Sequence, residues 1–225
     1  MSGTNSAEVP NKAVISLQRE VQRKFGRNLL VLQQYERLVK GLVAEQDVAG
    51  PINELHSIRA RQIEAVSKKT LGQVVGDLTG NFITPTLGQS DTEPSDEPPV
   101  DPTQPWFRVI FRIAMAESDY LQTQQKLANL VDLRNDQVHH FLEKYDIWSE
   151  AGCLAADAYL DDCFKQIDTH FQELRGWAQH NLDSRERMGS LMRTQEFRDF
   201  LVHGIFPGGA GISWSSCTIV NLLRD

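Results

Sequence analysis

The chain has 225 residues, 40% of them hydrophobic and 24% charged, a composition that excludes collagen-like, wholly disordered and disulfide-stapled architectures. Its 23 Lys and Arg face 30 Asp and Glu, and the net charge of −7 argues against wholesale electrostatic binding of nucleic acid. RNA handling at one local site stays compatible with that charge.

Three cysteines, Cys153, Cys163 and Cys217, form no CxxC pair and are odd in number, so no disulfide framework and a reducing, cytoplasmic compartment are expected. The opening MSGTNSAEVPNK has neither the basic start nor the apolar run of a signal peptide. No stretch approaches the roughly 18 apolar residues of a membrane span, and no membrane partner is expected. Charge is spread unevenly. Residues 1–80 carry 11 bases against 8 acids, 81–105 carry 5 acids and no base, and 106–225 carry 12 bases against 17 acids. The first segment is therefore the better candidate to meet a polyanion.

In chain order, residues 1–10 read as a disordered tail. Val14, Leu17, Val21, Phe25, Leu32, Tyr35, Val39 and Leu42 recur every three to four residues and place an apolar stripe on a helix near 11–47. Gly50-Pro51 breaks it, and 52–78 reads as a second, more polar helix carrying Arg59, Arg61, Lys68 and Lys69. Residues 11–80 thus form an N-terminal helical hairpin. The stripe also allows a coiled-coil dimer, although Lys24, Asn28 and Glu45 interrupt a clean heptad. Six of the nine prolines fall in 81–105, which with its acids reads as a solvated linker or loop.

No proline follows until Pro207, and the apolar spacing over 106–205 predicts a helical bundle. A helix is expected over 106–131, extending toward 144. Ser149 offers an N-cap for a second over 150–181, with Leu154, Ala158, Phe164, Ile167, Phe171, Leu174 and Trp177 facing a core. A third is expected over 184–203. Residues 206–225 read as a Gly-rich loop and a short C-terminal element, strand or helix. Trp106, Trp148, Trp177 and Trp214 are expected as core or interface anchors.

Within the bundle, the segment DLRNDQVHHF (132–141) places Arg134 and Asn135 before His139, His140 and Phe141. This resembles the R-x(4–6)-H motif of the HEPN superfamily in its RNxxxH form, in a matching setting between two long helices. The spacing recurs at Arg175 with His180 and at Arg198 with His203, and FRDFLVHG (197–204) is the second candidate. By resemblance, HEPN ribonucleases cut RNA without a metal, with two motifs meeting in a homodimer. The resemblance implies Arg134 for phosphate contact, His139 for acid–base work, Asn135 for orientation and His140 as an alternate base. Arg134 and His139 are five apart, about 140° around an ideal helix, so convergence needs a kink, a long reach or a symmetry partner.

A second likeness covers the stretch LRNDQVHHFLEKYDIWSEAGCLAADAYLDDCF with LQREVQRKFGRNLLVLQQYERLVKGL before it. It resembles the N-terminal region of bacterial proteins that end in an OST-HTH (LOTUS) domain, a winged-helix RNA binder. No such domain is expected within this sequence, and the resemblance would make the chain a shortened member or one lacking the module.

Other signals are discounted. Asp136-x-x-His139 resembles half of a di-metal carboxylate–histidine pair, but no second Glu/Asp-x-x-His exists. GIFPGGAG lacks the GK[ST] of a P-loop. No cofactor and no metal are expected. Asp157, Asp161 and Asp162 read as a solvated helix face. The reading is an all-α protein, an N-terminal helical hairpin joined to a HEPN-like bundle. Its expected partner is RNA, and the resemblance implies metal-independent endoribonuclease activity as the function to test. The alternatives are a non-catalytic helical scaffold, with a protein partner on the N-terminal helices, or a toxin or defence component.

Overall fold

A computed structural model describes residues 12–85, 106–203 and 217–222, with the backbone alone at 52, 106–107, 200–203 and 217–222. The expected tail at 1–10, the Pro-rich stretch from 86 to 105 and the Gly-rich loop up to 216 lie outside the described residues.

The described chain is predominantly helical, as its apolar periodicity implies. The elements are α1 (Lys12–Glu45), β1 (Asp47–Pro51), α2 (Leu55–Ser67), α3 (Leu71–Asp77), β2 (Ile83–Pro85) and β3 (Trp106–Met115). They continue with α4 (Glu117–Asn135), α5 (Phe141–Lys144), α6 (Glu150–Met192), α7 (Gln195–His203) and β4 (Cys217–Leu222). Two compact units result. One comprises the described parts of 1–35 with 129–172, the other those of 36–128 with 173–225.

In the first unit, Val21 of α1, Phe141 of α5 and Cys153, Ala156 and Leu160 of α6 form a core cluster. The residues that interrupt the α1 stripe are those that lock it to α6. Asn28 is fully buried and its Nδ2 donates to Leu160 O at 2.9 Å. Lys24 forms ion pairs with Asp157 at 2.7 Å and Asp161 at 2.6 Å, and Arg27 reaches Asp161 at 3.3 Å. Two of the three aspartates expected to be merely solvated therefore bind helix to helix, while Asp162 pairs with Lys165 on its own exposed face.

The second unit carries a small sheet that helical periodicity did not announce. Residues 106–115 are a strand, not the first turns of a helix. Their run WFRVIFRIAM is rich in aromatic and β-branched side chains, and a short apolar run fits either structure by periodicity alone. β3 is the central strand. β1 pairs with it antiparallel (Asp47 opposite Ile110), while β2 and β4 pair parallel (Ile83 opposite Ile113, Cys217 opposite Val109). The C-terminal element is thus a strand.

Two helix boundaries also differ from expectation. The second helix breaks at Lys68–Thr70, where Thr70 and Gln73 close a capping box that starts α3. α6 runs unbroken through 182–184 to Met192, since no Gly or Pro interrupts it there and Ser184 Oγ donates back to His180 O at 2.8 Å. Its inward face is Cys153, Ala156, Leu160, Cys163, Ile167 and Leu174, whereas Leu154 and Ala158 point to solvent. Trp148 is exposed and anchors no core. No described helix is long and apolar enough to cross a membrane.

Candidate functional site

The motif lies where α4 ends. Residues Asp136–His140 form a π-turn between α4 and α5, in the first unit. Such a turn closes i→i+5 backbone bonds, so residues five apart stand nearly over one another as residues four apart do in an α-helix. Arg134 stands before the turn, in the last turn of α4, and His139 lies within it.

Phe141 pins the turn from below. Its ring lies 4.8 Å from that of Phe25 and 5.3 Å from that of Tyr145, which stacks on Tyr159 at 5.0 Å. Burial raises the pKa of both tyrosines. With Gln137 and Phe141 buried, Val138, His139 and His140 face solvent.

The polar groups are distributed as follows. Arg134 is half-buried, and its Nη1 donates to Asn135 Oδ1 at 3.0 Å. Asn135 thus engages the arginine through its Oδ1. The nearby acids are taken by other partners: Asp136 by Lys144 at 2.6 Å, Glu143 by His140 Nδ1 at 3.0 Å. The His139 ring stands edge-on to that of His140, 6.3 Å between centroids.

His139 forms part of the wall of a cleft of about 320 Å³. Val21 and Phe25 of α1, Phe141 and Ile147 line its apolar side, with Val138 and Leu142 at the rim. Gln22 and Gln137 supply its other polar groups, and Arg134 is not among its walls. The Gln137 side chain is fully buried and neither amide atom has a nitrogen or oxygen partner among the described residues. Its polar neighbour is the Cys163 thiol, a weak hydrogen-bonding group. Burial pushes the Cys163 thiol up in pKa, and the contacts from Tyr159 and Gln137 only partly offset this, so the thiol stays protonated and unreactive.

The α1 contribution to this cleft was missed in the sequence. Phe25 belongs to a legible apolar stripe, but nothing in its spacing says that it faces residues more than a hundred positions away. Gln137 carried no signal at all.

The second motif is separate. Arg198 is exposed on α7, in the second unit, and the His203 side chain lies outside the described residues. Among the described residues no three His, Cys, Asp or Glu side chains converge as metal ligands, and Asp136 is held by Lys144 rather than paired with His139. The chain matches no protein-family model, no curated protein and no solved structure.

Proposed function

We propose that the protein acts on RNA through the segment 134–141, as a HEPN-like, metal-independent endoribonuclease. The observation that supports the reading is that the motif spans a departure from the straight helix: Arg134 ends α4 and His139 lies within the π-turn Asp136–His140 that follows. In this reading Arg134, steadied by Asn135, holds the scissile phosphate and stabilises the charge that develops on it. His139 Nε2 or Nδ1 removes the ribose 2′-hydroxyl proton. The 2′-oxygen then attacks phosphorus, the bond to the 5′-oxygen breaks, and that oxygen takes a proton from a second imidazolium. A 2′,3′-cyclic phosphate and a free 5′-hydroxyl result. The second imidazolium comes from the motif of a homodimer partner or from His140. The free thiols of Cys153 and Cys163 fit a reducing, cytoplasmic setting.

A second reading, a non-catalytic interaction protein, has its own support. Val138, Leu142 and Trp148 are 44%, 71% and 78% exposed in the same unit, apolar side chains available to a protein partner.

The deciding experiment incubates end-labelled single-stranded RNA with the full chain in EDTA. Arg134→Ala and His139→Ala proteins of unchanged circular dichroism run alongside. The enzyme reading expects cleavage that both variants lose, by about a hundredfold or more. Equal background in all three removes the ribonuclease and leaves the interaction protein.

A further inference from the structure

A different cleft, in the second unit, has the chemistry of a small-molecule site. It measures about 340 Å³, at the small end of the usual range for ligand pockets. Its walls are apolar: Val48 of β1, Leu55 of α2, Val109 and Phe111 of β3, and Met188 and Met192 of α6. Two of these are methionines, whose unbranched side chains adapt to the shape of a guest.

Positive charge converges on this apolar space. Arg59 of α2 and Arg185 of α6 both line it, with His56 beside them, and no acidic residue does. The two guanidiniums share one carboxylate: Arg59 Nη2 donates to Glu45 Oε1 and Arg185 Nη1 to Glu45 Oε2. One carboxylate neutralises one guanidinium, so a full positive charge is left over. Each arginine has five N–H donors, so donors remain for a guest. Arg185 is the more enclosed, its guanidinium 5.5 Å from the centre of the Phe111 ring. Burial lowers its pKa, the mark of a cation held where its charge is costly.

The geometry points to this cleft as a binding site for a small amphiphilic carboxylic acid, its carboxylate on Arg59 and Arg185 and its apolar body between Phe111, Met188 and Met192. A planar carboxylate matches the guanidinium fork, and the excluded water strengthens the contact. A neutral guest would leave the surplus charge unanswered. A dianion would meet one surplus charge with two and lose the balance. The site is independent of the ribonuclease reading, and either stands if the other fails.

Calorimetric titration of the full chain with octanoate, and with octanamide as its uncharged counterpart, tests the proposal. Octanoate is expected to saturate one site. Octanamide is expected to bind about tenfold or more weakly, the loss of a charge-assisted contact. Arg59→Gln, at an exposed position, is expected to weaken octanoate by a similar factor and leave octanamide unchanged. Met188→Trp fills the cleft and is expected to abolish both, with Leu55→Trp, from α2, as the equivalent should Met188→Trp not fold. Failure of octanoate to saturate, equal binding of acid and amide, or wild-type affinity in the folded variants would each overturn the site.

Discussion

Gly152 and Gly176 sit on one helix and face opposite fates on the same substitution. A Cβ at Gly152, in the first turn of α6, would collide with the backbone carbonyl of Asp146 and with Ser149 Oγ. Those atoms cannot retreat, because Ser149 caps the helix: its Oγ accepts from Gly152 N and donates to Asp146 O, each at 3.1 Å. Gly152→Ala should therefore cost about 2 kcal/mol, as overpacking against fixed backbone does. Ser149→Ala should cost about 1 kcal/mol through the lost cap. At Gly176 nothing lies within 4 Å of where a Cβ would sit, and Gly176→Ala should stabilise by about 1 kcal/mol through helix propensity alone. Urea unfolding of the three variants checks all of this. A Gly152→Ala protein as stable as the parent would mean that the Asp146–Ser149 turn is not fixed as described.

At the scale of elements, the polar interruptions of α1 set how the first unit responds to pH. The Lys24 hydrogen bond, aided by Arg27, holds the Asp161 carboxyl below its ordinary pKa against the opposing effect of burial. Burial works against the Lys24 charge, but the bonds to Asp157 and Asp161 outweigh it and raise its pKa. A depressed acid contributes stability that is present above its unfolded pKa near 4 and lost as pH falls through the folded value. A raised base contributes stability present below about 10.4 and lost as pH climbs through its folded value. The thermal midpoint should thus be flat between about pH 5 and 10 and fall on both sides. Asp161→Asn should lower the plateau and blunt the acid-side fall, and Lys24→Met should lower it further by leaving Asp157 and Asp161 without their shared cation. Midpoints followed by circular dichroism across pH 2–11 check the signs, and a parent-like acid limb in Asp161→Asn would refute the assignment. The same elements show what could be read in the sequence. The span of α1, the cap at Ser149 and the helical character of 117–192 follow from apolar periodicity and one serine. The strand at 106–115 escaped because ten mostly apolar residues fit either period. Ile167 and Leu174 of α6 face inward as expected, but at its start the inward face was misplaced because Cys153 and Ala156, small and unremarked, fill it where Leu154 and Ala158 were expected. Polar pairs such as Lys24 with Asp161 join residues 137 apart, and no local pattern encodes a partner at that distance. The motif at 134–139 was visible as residues, whereas the π-turn that shapes it was not, because a π-turn has no residue signature comparable to a cap.

On the whole molecule, net charge limits how the chain can hold RNA. At −7 it has no surplus of cations to spread over a polyanion, and the surroundings of Arg134 are acidic, with Asp132, Asp136 and Glu143 within ten residues. Binding by the proposed site must then rest on few phosphate contacts. For single strands the log–log slope of affinity against salt is about −0.7 per phosphate neutralised, so a dimer presenting Arg134 twice should show a slope of about −1.4. A protein that gripped RNA along a basic surface with six contacts would show about −4. Anisotropy of labelled single-stranded RNA, titrated with the His139→Ala protein, which lacks the proposed base, over a range of KCl concentrations, measures the slope directly. Arg134→Ala should flatten it toward zero as well as weaken binding. A steep slope that Arg134→Ala leaves unchanged would move the RNA contact elsewhere, first to residues 12–80, where bases outnumber acids. Segment 134–141 would then be free of any role in holding the strand, and the exposed apolar side chains of Val138, Leu142 and Trp148 would become the better guide to what the first unit meets.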